Sequence, residues 1–200
     1  MTVLPSVYLG SVEYFAHLLR DEKVVIDVGE HYIKRSERNR TQIMTANGVL
    51  PMTVHLRNAN RPQTPMREVR IDYSKRWQHL HRSAIESAYR SSPYFDHYAP
   101  LLLPFYEERF EFLVDYNTRL TELLLRMAHI DRPLQIVDRY VEAADDDLDL
   151  RPKKRESSFE CSPYYQLFGD RFAFVPNLSF LDLLFSEGPS ATDVLTDCRL

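Results

Sequence analysis

Val24-Val25-Ile26-Asp27-Val28 is a compact β-branched run punctuated by Gly29, and it follows a helical repeat by only a few residues. Ser11 is suited to cap that helix. Val12, Phe15, Ala16 and Leu19 then recur at helical spacing, and the pattern ends near Arg20-Asp21. With Met1 to Ser6 read as an edge strand or extended entry, the chain opens strand-turn-helix-strand. This order admits a right-handed βαβ unit and a parallel pair. The expected class is α/β: a small mixed sheet opened by that unit, with an α-helical middle and C-terminal portion, and α+β as the alternative.

The remaining chain adds elements in order. Asn47-Gly48 marks a turn, and Val49 to Leu56 alternates enough to be a strand. Residues 57–67, with Pro62 and Pro65, read as a loop. Val69, Ile71 and Tyr73 then share one face of a second alternating run. Ser74 opens the clearest helix, whose apolar stripe is Trp77, Leu80, Ala84, Ile85 and Ala88, and Ser91-Ser92-Pro93 stops it. The aromatic, proline-rich stretch 94–104 reads as a turn and helix entry, and 107–112 and 117–129 read as helical. Between Ala143 and Arg155 an acidic block meets a basic one around Pro152, the pattern of a solvated loop. Ser179 with Asp182 three positions later resembles a capping box before a short apolar helix. Residues 1–190 are expected to form a single domain and 191–200 a tail.

Composition excludes several function classes. Of 200 residues 44% are apolar, enough for a sizeable core, and a net charge of −4 gives no support to general nucleic-acid binding. The only cysteines, Cys161 and Cys198, are far apart and without CxxC spacing, so neither a disulfide framework nor a structural zinc site is expected. No window approaches the roughly 18 consecutive apolar residues of a spanning helix, and the N-terminus lacks signal-peptide features; the cytoplasm is the expected compartment. Phosphate-loop, dinucleotide-fold, serine-elbow and HExxH motifs are missing. His79 and His81, two apart on a helix, make a poor metal pair and are expected to be exposed or half-buried. No metal site is expected, nothing assigns a cofactor, and Cys161 has no local activating signal.

The densest polar stretch is Glu30-His31-Tyr32-Ile33-Lys34-Arg35-Ser36-Glu37-Arg38-Asn39-Arg40. If extended, it puts Glu30, Tyr32 and Lys34 on one face and His31, Ile33 and Arg35 on the other. Arginine forks and a lysine suit phosphate or carboxylate recognition, and an asparagine can read a polar edge. The alternative is an exposed loop joined by surface ion pairs.

Four blocks together resemble the WbqC-like protein family, in particular its Bacteroidetes-type form. They are Leu4-Pro5-Ser6-Val7-Tyr8-Leu9-Gly10-Ser11 with Tyr14-Phe15; Tyr32-Ile33-Lys34 with Arg38-Asn39-Arg40; Trp77 to Ile85 with Tyr89 and Ser92-Pro93-Tyr94-Phe95; and Tyr164-Tyr165-Gln166 with Val175-Pro176-Asn177-Leu178-Ser179 and Asp182 to Phe185. Where many members carry Pro-Trp before the turn glycine, this chain has Tyr8-Leu9, and Ser162-Pro163 stands for a His-Pro. A fainter likeness to nucleotidyltransferase-like domains would put their HxGH pair on Tyr8-Leu9-Gly10-Ser11. That stretch has no histidine, so adenylyl transfer is not expected.

The resemblance implies a transferase in surface polysaccharide (O-antigen-type) biosynthesis, moving a glycyl or other acyl group to an amino sugar or sugar nucleotide. A non-catalytic binding or scaffold protein of the same pathway is the alternative. Under the first reading Lys34, Arg38 and Arg40 neutralise phosphates, and Asn39 and Gln166 bind sugar hydroxyls or an amide. His31 or Glu30 is the general base, with Asp182 a third catalytic candidate. Tyr8, Tyr32 and Tyr165 would wall one pocket with them. The ligand is then a small sugar or phosphate-bearing molecule, not nucleic acid.

Overall fold

A computed structural model describes residues 1–57, 63–153 and 157–200. The chain opens with β1 (Thr2–Pro5), α1 (Val12–Arg20) and β2 (Val24–Asp27), and the two strands run parallel with Thr2 opposite Val24 and Pro5 opposite Asp27. The hairpin β3 (Arg40–Thr45) and β4 (Gly48–Thr53) follows. It closes between Thr45 and Gly48, whose φ of 96° is in the region that favours glycine. Next come β5 (Leu56–Arg57) and its antiparallel partner β6 (Arg70–Ile71), then α2 (Trp77–Tyr89), α3 (Phe95–Leu102) and α4 (Leu113–Met127). Two-residue strands β7 (Ile136–Val137) and β8 (Leu148–Asp149) precede α5 (Phe180–Glu187) and α6 (Ala191–Asp197).

The central sheet has the order β7-β2-β1-β8, and every pairing in it is parallel. The α/β class therefore holds. The expected single mixed sheet is instead a parallel sheet beside separate antiparallel pairs, because a hairpin closed by a tight turn needs no crossover and forms on its own. β1 and β2 are buried along their whole length, as strands covered on both faces are.

Several segments differ from expectation. The charged stretch 143–155 is not wholly a solvated loop: Leu148 and Asp149 pair with Thr2 and Val3, and Arg151 is 5% exposed. The lysine and arginine at 154 and 155, and Pro62 of the earlier loop, lie outside the described residues. The stretch 108–111 is not helical, while Pro100 is accommodated inside α3. In α2 the buried stripe is Trp77, His81, Ile85 and Ala88; Leu80 faces out and His81 faces in, at 7% exposure. A buried tyrosine hydroxyl that needs a partner, described below, accounts for the exchange.

The residues read as a tail form α6, which packs on α1 and α5 with Ala191, Leu195 and Cys198 buried. This leaves α1 covered on nearly every side, with Phe15 stacked on Phe180 of α5 at 4.2 Å. Among the described residues no helix is long and apolar enough to cross a membrane. Leu195→Ala is expected to cost about 2–4 kcal/mol in urea unfolding, the range for emptying a core leucine site; a dispensable tail would leave the midpoint unchanged.

Candidate functional site

Parallel strands deliver their C-terminal ends to one edge, and in open α/β sheets ligands bind beyond that edge where the strand order reverses. Here the reversal falls between β1 and β8. The loop after β1, Asp27 at the end of β2 and Asp149 at the end of β8 consequently gather together.

Asp27 is fully buried and organises this edge. Its Oδ1 accepts the N–H groups of Gly29 (2.8 Å) and Glu30 (3.1 Å), and its Oδ2 accepts Val141 N–H (3.1 Å) and pairs with Arg151 Nη1. Gly29 permits this approach, because a Cβ there would come within 2.3 Å of the backbone joining Arg139 to Tyr140. Arg151 also grips Asp149 with Nε and Nη2, both at 2.8 Å, and lies 4.5 Å above the Tyr140 ring. The hydrogen bonds to Asp149 raise the Arg151 guanidinium further above its usual range. Burial pushes the Asp149 carboxyl up, but those same bonds and the guanidinium charge outweigh it and hold the group down.

The polar segment 30–40 is pinned from within. Glu30 and Arg38 are 4% and 2% exposed and pair through both guanidinium edges, Nε to Oε1 at 2.8 Å and Nη2 to Oε2. Arg38 also donates to the Arg151 carbonyl (3.0 Å) and to Ser36 Oγ (3.3 Å), which links the two ion-pair systems. Burial raises the Glu30 carboxyl pKa, with Arg38 opposing. Asn39 gives Nδ2 to the Val54 carbonyl and accepts the Tyr32 hydroxyl, both at 2.9 Å. His31, Lys34, Arg35 and Arg40 are exposed. The segment is not extended: up to Arg40, which opens β3, it is a loop whose Glu30, Arg38 and Asn39 hold its shape.

Beyond this loop lies a cleft of about 300 Å³, walled by residues 8–11, 35–37 and 40–42, with Pro51, Asn177 and Ser179. The N-termini of α1 and α5 meet here and cap each other. Val12 N–H donates to the Leu178 carbonyl (3.0 Å), Phe180 N–H to the Gly10 carbonyl (2.8 Å), and Glu13 N–H to Asn177 Oδ1 (2.9 Å). Ser11 and Ser179 are the respective N-caps, and Leu9, at a positive φ of 46°, offers its carbonyl to Thr41 and Ser179. The amides at both helix starts are thus engaged, but the positive ends of two helix dipoles still face the cleft. Arg35 and Arg40 add positive charge, and the Glu37 carboxylate offsets part of it.

Two further networks stand behind the cleft. The Tyr8 hydroxyl is bonded to His81 Nδ1 at 2.8 Å and to the Tyr106 hydroxyl at 2.9 Å. Burial first, and the neighbouring tyrosines second, push the Tyr8 hydroxyl pKa up; burial first, and His55 second, push His81 down to about 4. On α5, Asp182 accepts from Tyr89 (3.0 Å), Tyr164 (2.8 Å) and Gln166 (2.9 Å), and Gln166 also bonds both polar backbone groups of Val175. Burial raises the Asp182 carboxyl pKa despite those three donors.

The sequence-derived candidates therefore separate. Tyr8 and Arg40 line the cleft. Glu30, Tyr32, Arg38 and Asn39 shape the loop behind it, with Glu30 and Arg38 committed to each other rather than to a ligand. Gln166 and Asp182 come together, but in the interior, where Asp182 ties three segments and does not close a capping box. Tyr165 is 53% exposed, and His31 and Lys34 are outside the cleft wall. Sequence reasoning missed Asp27, Arg151, His81 and Tyr106. Only His81 left a signal, standing four residues after Trp77 and four before Ile85. A broader depression of about 610 Å³ lies at the end of α4, where Arg132 bonds the Glu22 carbonyl just before β2. It is thus at the opposite, N-terminal edge of the sheet, away from the converging loops.

The WbqC-like protein family matches residues 6–157, which include the cleft residues 8–11, 35–37, 40–42 and Pro51, the segment 30–40 and both buried ion-pair systems, but not Asn177 and Ser179. The chain belongs to the WbqC-like protein family. An uncharacterised protein of Mycobacterium tuberculosis is 28% identical, over all of this chain and 98% of its own length. No solved structure matches.

Arg38→Ala is expected to destabilise by about 3–5 kcal/mol, since it leaves Glu30 buried and unpaired. Glu30→Met combined with Arg38→Met should recover most of that, and Lys34→Ala should stay within about 0.5 kcal/mol; urea unfolding of the four proteins checks this. A second expectation concerns pH. His81 is neutral in the fold, with its pKa lowered to about 4 from an ordinary 6.5, so between those values only the unfolded chain takes up the proton. Its contribution is complete above pH 6.5 and drains on acidification toward pH 4, by on the order of 2–3 kcal/mol. Unfolding curves at both ends of that window should show this slope reduced in His81→Gln.

Proposed function

We propose that the protein is a transferase of surface polysaccharide (O-antigen-type) biosynthesis. Its ligand is a phosphate-bearing amino sugar or sugar nucleotide, held in the cleft between the β1 loop, the segment 30–40 and the start of α5. The group transferred is glycyl or another acyl group, and the compartment is the cytoplasm. The observation that carries the reading is the cleft itself: two exposed arginines beside two converging helix N-termini, at the carboxyl edge of a parallel sheet. Its volume of about 300 Å³ suits a small polar ligand. Membership of a family associated with polysaccharide gene clusters supports the substrate class.

In this reading Arg35 and Arg40 face the phosphate, and the side chains of Ser11 and Gln42 face sugar hydroxyls. Transfer to an amine requires a base to take its proton. Glu30 and Asp182 are poor choices, because each carboxylate is buried and already bonded by its neighbours. The same fact favours the second reading, a non-catalytic binding protein of the same pathway.

Titration calorimetry with a nucleotide-activated amino sugar distinguishes the two readings when paired with mass spectrometry of mixtures containing acyl donors. Binding is expected, with Arg40→Ala weakening it about tenfold or more, the worth of one charge-assisted contact. Lys34→Ala should bind like the parent. An acylated product establishes the transferase, whereas tight binding with no product from any donor establishes the binding protein. If neither the nucleotide sugar nor inorganic phosphate gives heat or a thermal shift, the cleft is not the ligand site.

A further inference from the structure

The chain has only two cysteines, and the fold sets them face to face. Glu160 and Arg199 form an antiparallel bridge in which each donates its N–H to the other's carbonyl, at 3.0 and 2.8 Å. Such a doubly bonded pair is flanked by pairs without mutual hydrogen bonds, whose Cα atoms lie about 4.5 Å apart with side chains close together. Cys161 follows Glu160 and Cys198 precedes Arg199, so the two cysteines occupy that flanking position. The usual spacing of such a pair is at the lower end of the Cα range a disulfide spans, roughly 4.4–6.8 Å. Both cysteines are free thiols in this structure.

The environments of the two thiols differ in a useful way. Cys161 is half-buried and reachable from solvent, whereas Cys198 is 3% exposed at the end of α6, with its carbonyl held by Arg20. Each S–H donates to a backbone carbonyl, Cys198 to Val194 at 3.1 Å and Cys161 to Ser162 at 3.4 Å. The neighbouring Cys198 sulfur holds the Cys161 thiol below its ordinary range, with burial opposing. The Cys161 neighbour, and burial after it, raise Cys198. An outer thiol with more thiolate character beside an inner partner is the arrangement of an attacking and a resolving cysteine.

We infer that Cys161 and Cys198 are a reactive dithiol, a site of reversible intramolecular disulfide formation by hydrogen peroxide. The Cys161 thiolate attacks one peroxide oxygen; the O–O bond breaks, and the leaving hydroxide departs as water with a proton. Cys161 is then a sulfenic acid. The Cys198 sulfur attacks the Cys161 sulfur, the S–O bond breaks, and hydroxide takes the Cys198 proton and leaves as the second water. Two thiols are oxidised by two electrons and one peroxide is reduced to two waters. A dithiol reductant reverses the step by thiol–disulfide exchange. The cross-link closes a ring of roughly 40 residues, long enough to restrict the unfolded chain appreciably. That ring contains α5, the bonded Tyr164, Gln166 and Asp182, and the cleft residues Asn177 and Ser179. The inference does not depend on what the cleft binds.

The test is to treat the folded, reduced protein with stoichiometric hydrogen peroxide. Wild type is expected to lose two hydrogens by intact mass and to show no titratable thiol. It should yield a disulfide-linked pair of tryptic peptides carrying Cys161 and Cys198, reversed by dithiothreitol. The thermal midpoint should rise by several degrees on oxidation. Cys198→Ala should accumulate a dimedone-trappable sulfenic acid at Cys161, and Cys161→Ser should react more slowly than wild type. The wild-type peptide map stands without either variant. Cysteines oxidised separately to sulfinic acids, or joined only between two molecules, would overturn the inference.

Discussion

Five ionisable side chains, Asp27, Glu30, Arg38, Asp149 and Arg151, meet at the carboxyl edge of the sheet, four of them buried. Taking such charges out of water costs several kcal/mol each, and their mutual attraction offsets this only when the geometry satisfies nearly every donor and acceptor. Here it does. Asp27 takes four contacts, Arg151 grips two carboxylates, and Arg38 ties Glu30 to the Arg151 carbonyl. A connected network of this kind contributes less to net stability than to uniqueness, because a slipped loop would strand a charge. The loop 30–40, the segment around Val141 and the end of β8 are fixed relative to one another through it.

That rigidity separates the inward face of the polar segment from its outward face. Glu30, Arg38 and Asn39 spend their hydrogen-bonding capacity on the fold, so Arg35 and Arg40 are presented from a loop that cannot easily deform. A binding surface built this way loses little freedom when it meets a ligand. Arg35 and Arg40 are the arginines this segment leaves facing the proposed ligand, and the buried Arg38 helps to position them.

The sequence made the opening βαβ unit legible, since β-branched runs and helical spacing report local structure directly. The hairpin turn at Asn47-Gly48, the Ser179 cap and the charge-dense segment were visible for the same reason. Two-residue strands such as β8 are too short to carry a period, and Leu148–Asp149 sat inside an acidic run that read as solvated. Nor can local pattern show that Arg38 meets the carbonyl of a residue 113 positions away. Charge density marked the segment 30–40 but could not apportion it: only burial separates Arg38, spent on the fold, from the exposed Arg35 and Arg40. His81 was the recoverable miss, because a polar residue in step with Trp77 and Ile85 on an apolar face announces a buried hydrogen-bond partner.

The reciprocal caps of α1 and α5 bear on how the chain is made. The start of α1 receives capping partners from Asn177 and Leu178, with Asn177 standing 164 positions after Glu13. That helix start cannot be completed until the segment around Asn177 has been synthesised. Until then, the apolar faces of α1 that later meet α5 and α6 have no cover from their own chain. Closing so long a loop is entropically costly, and it makes for slow folding. Burial of α1 therefore waits on α5 and α6, and the opening βαβ unit and these distant helices become stable together.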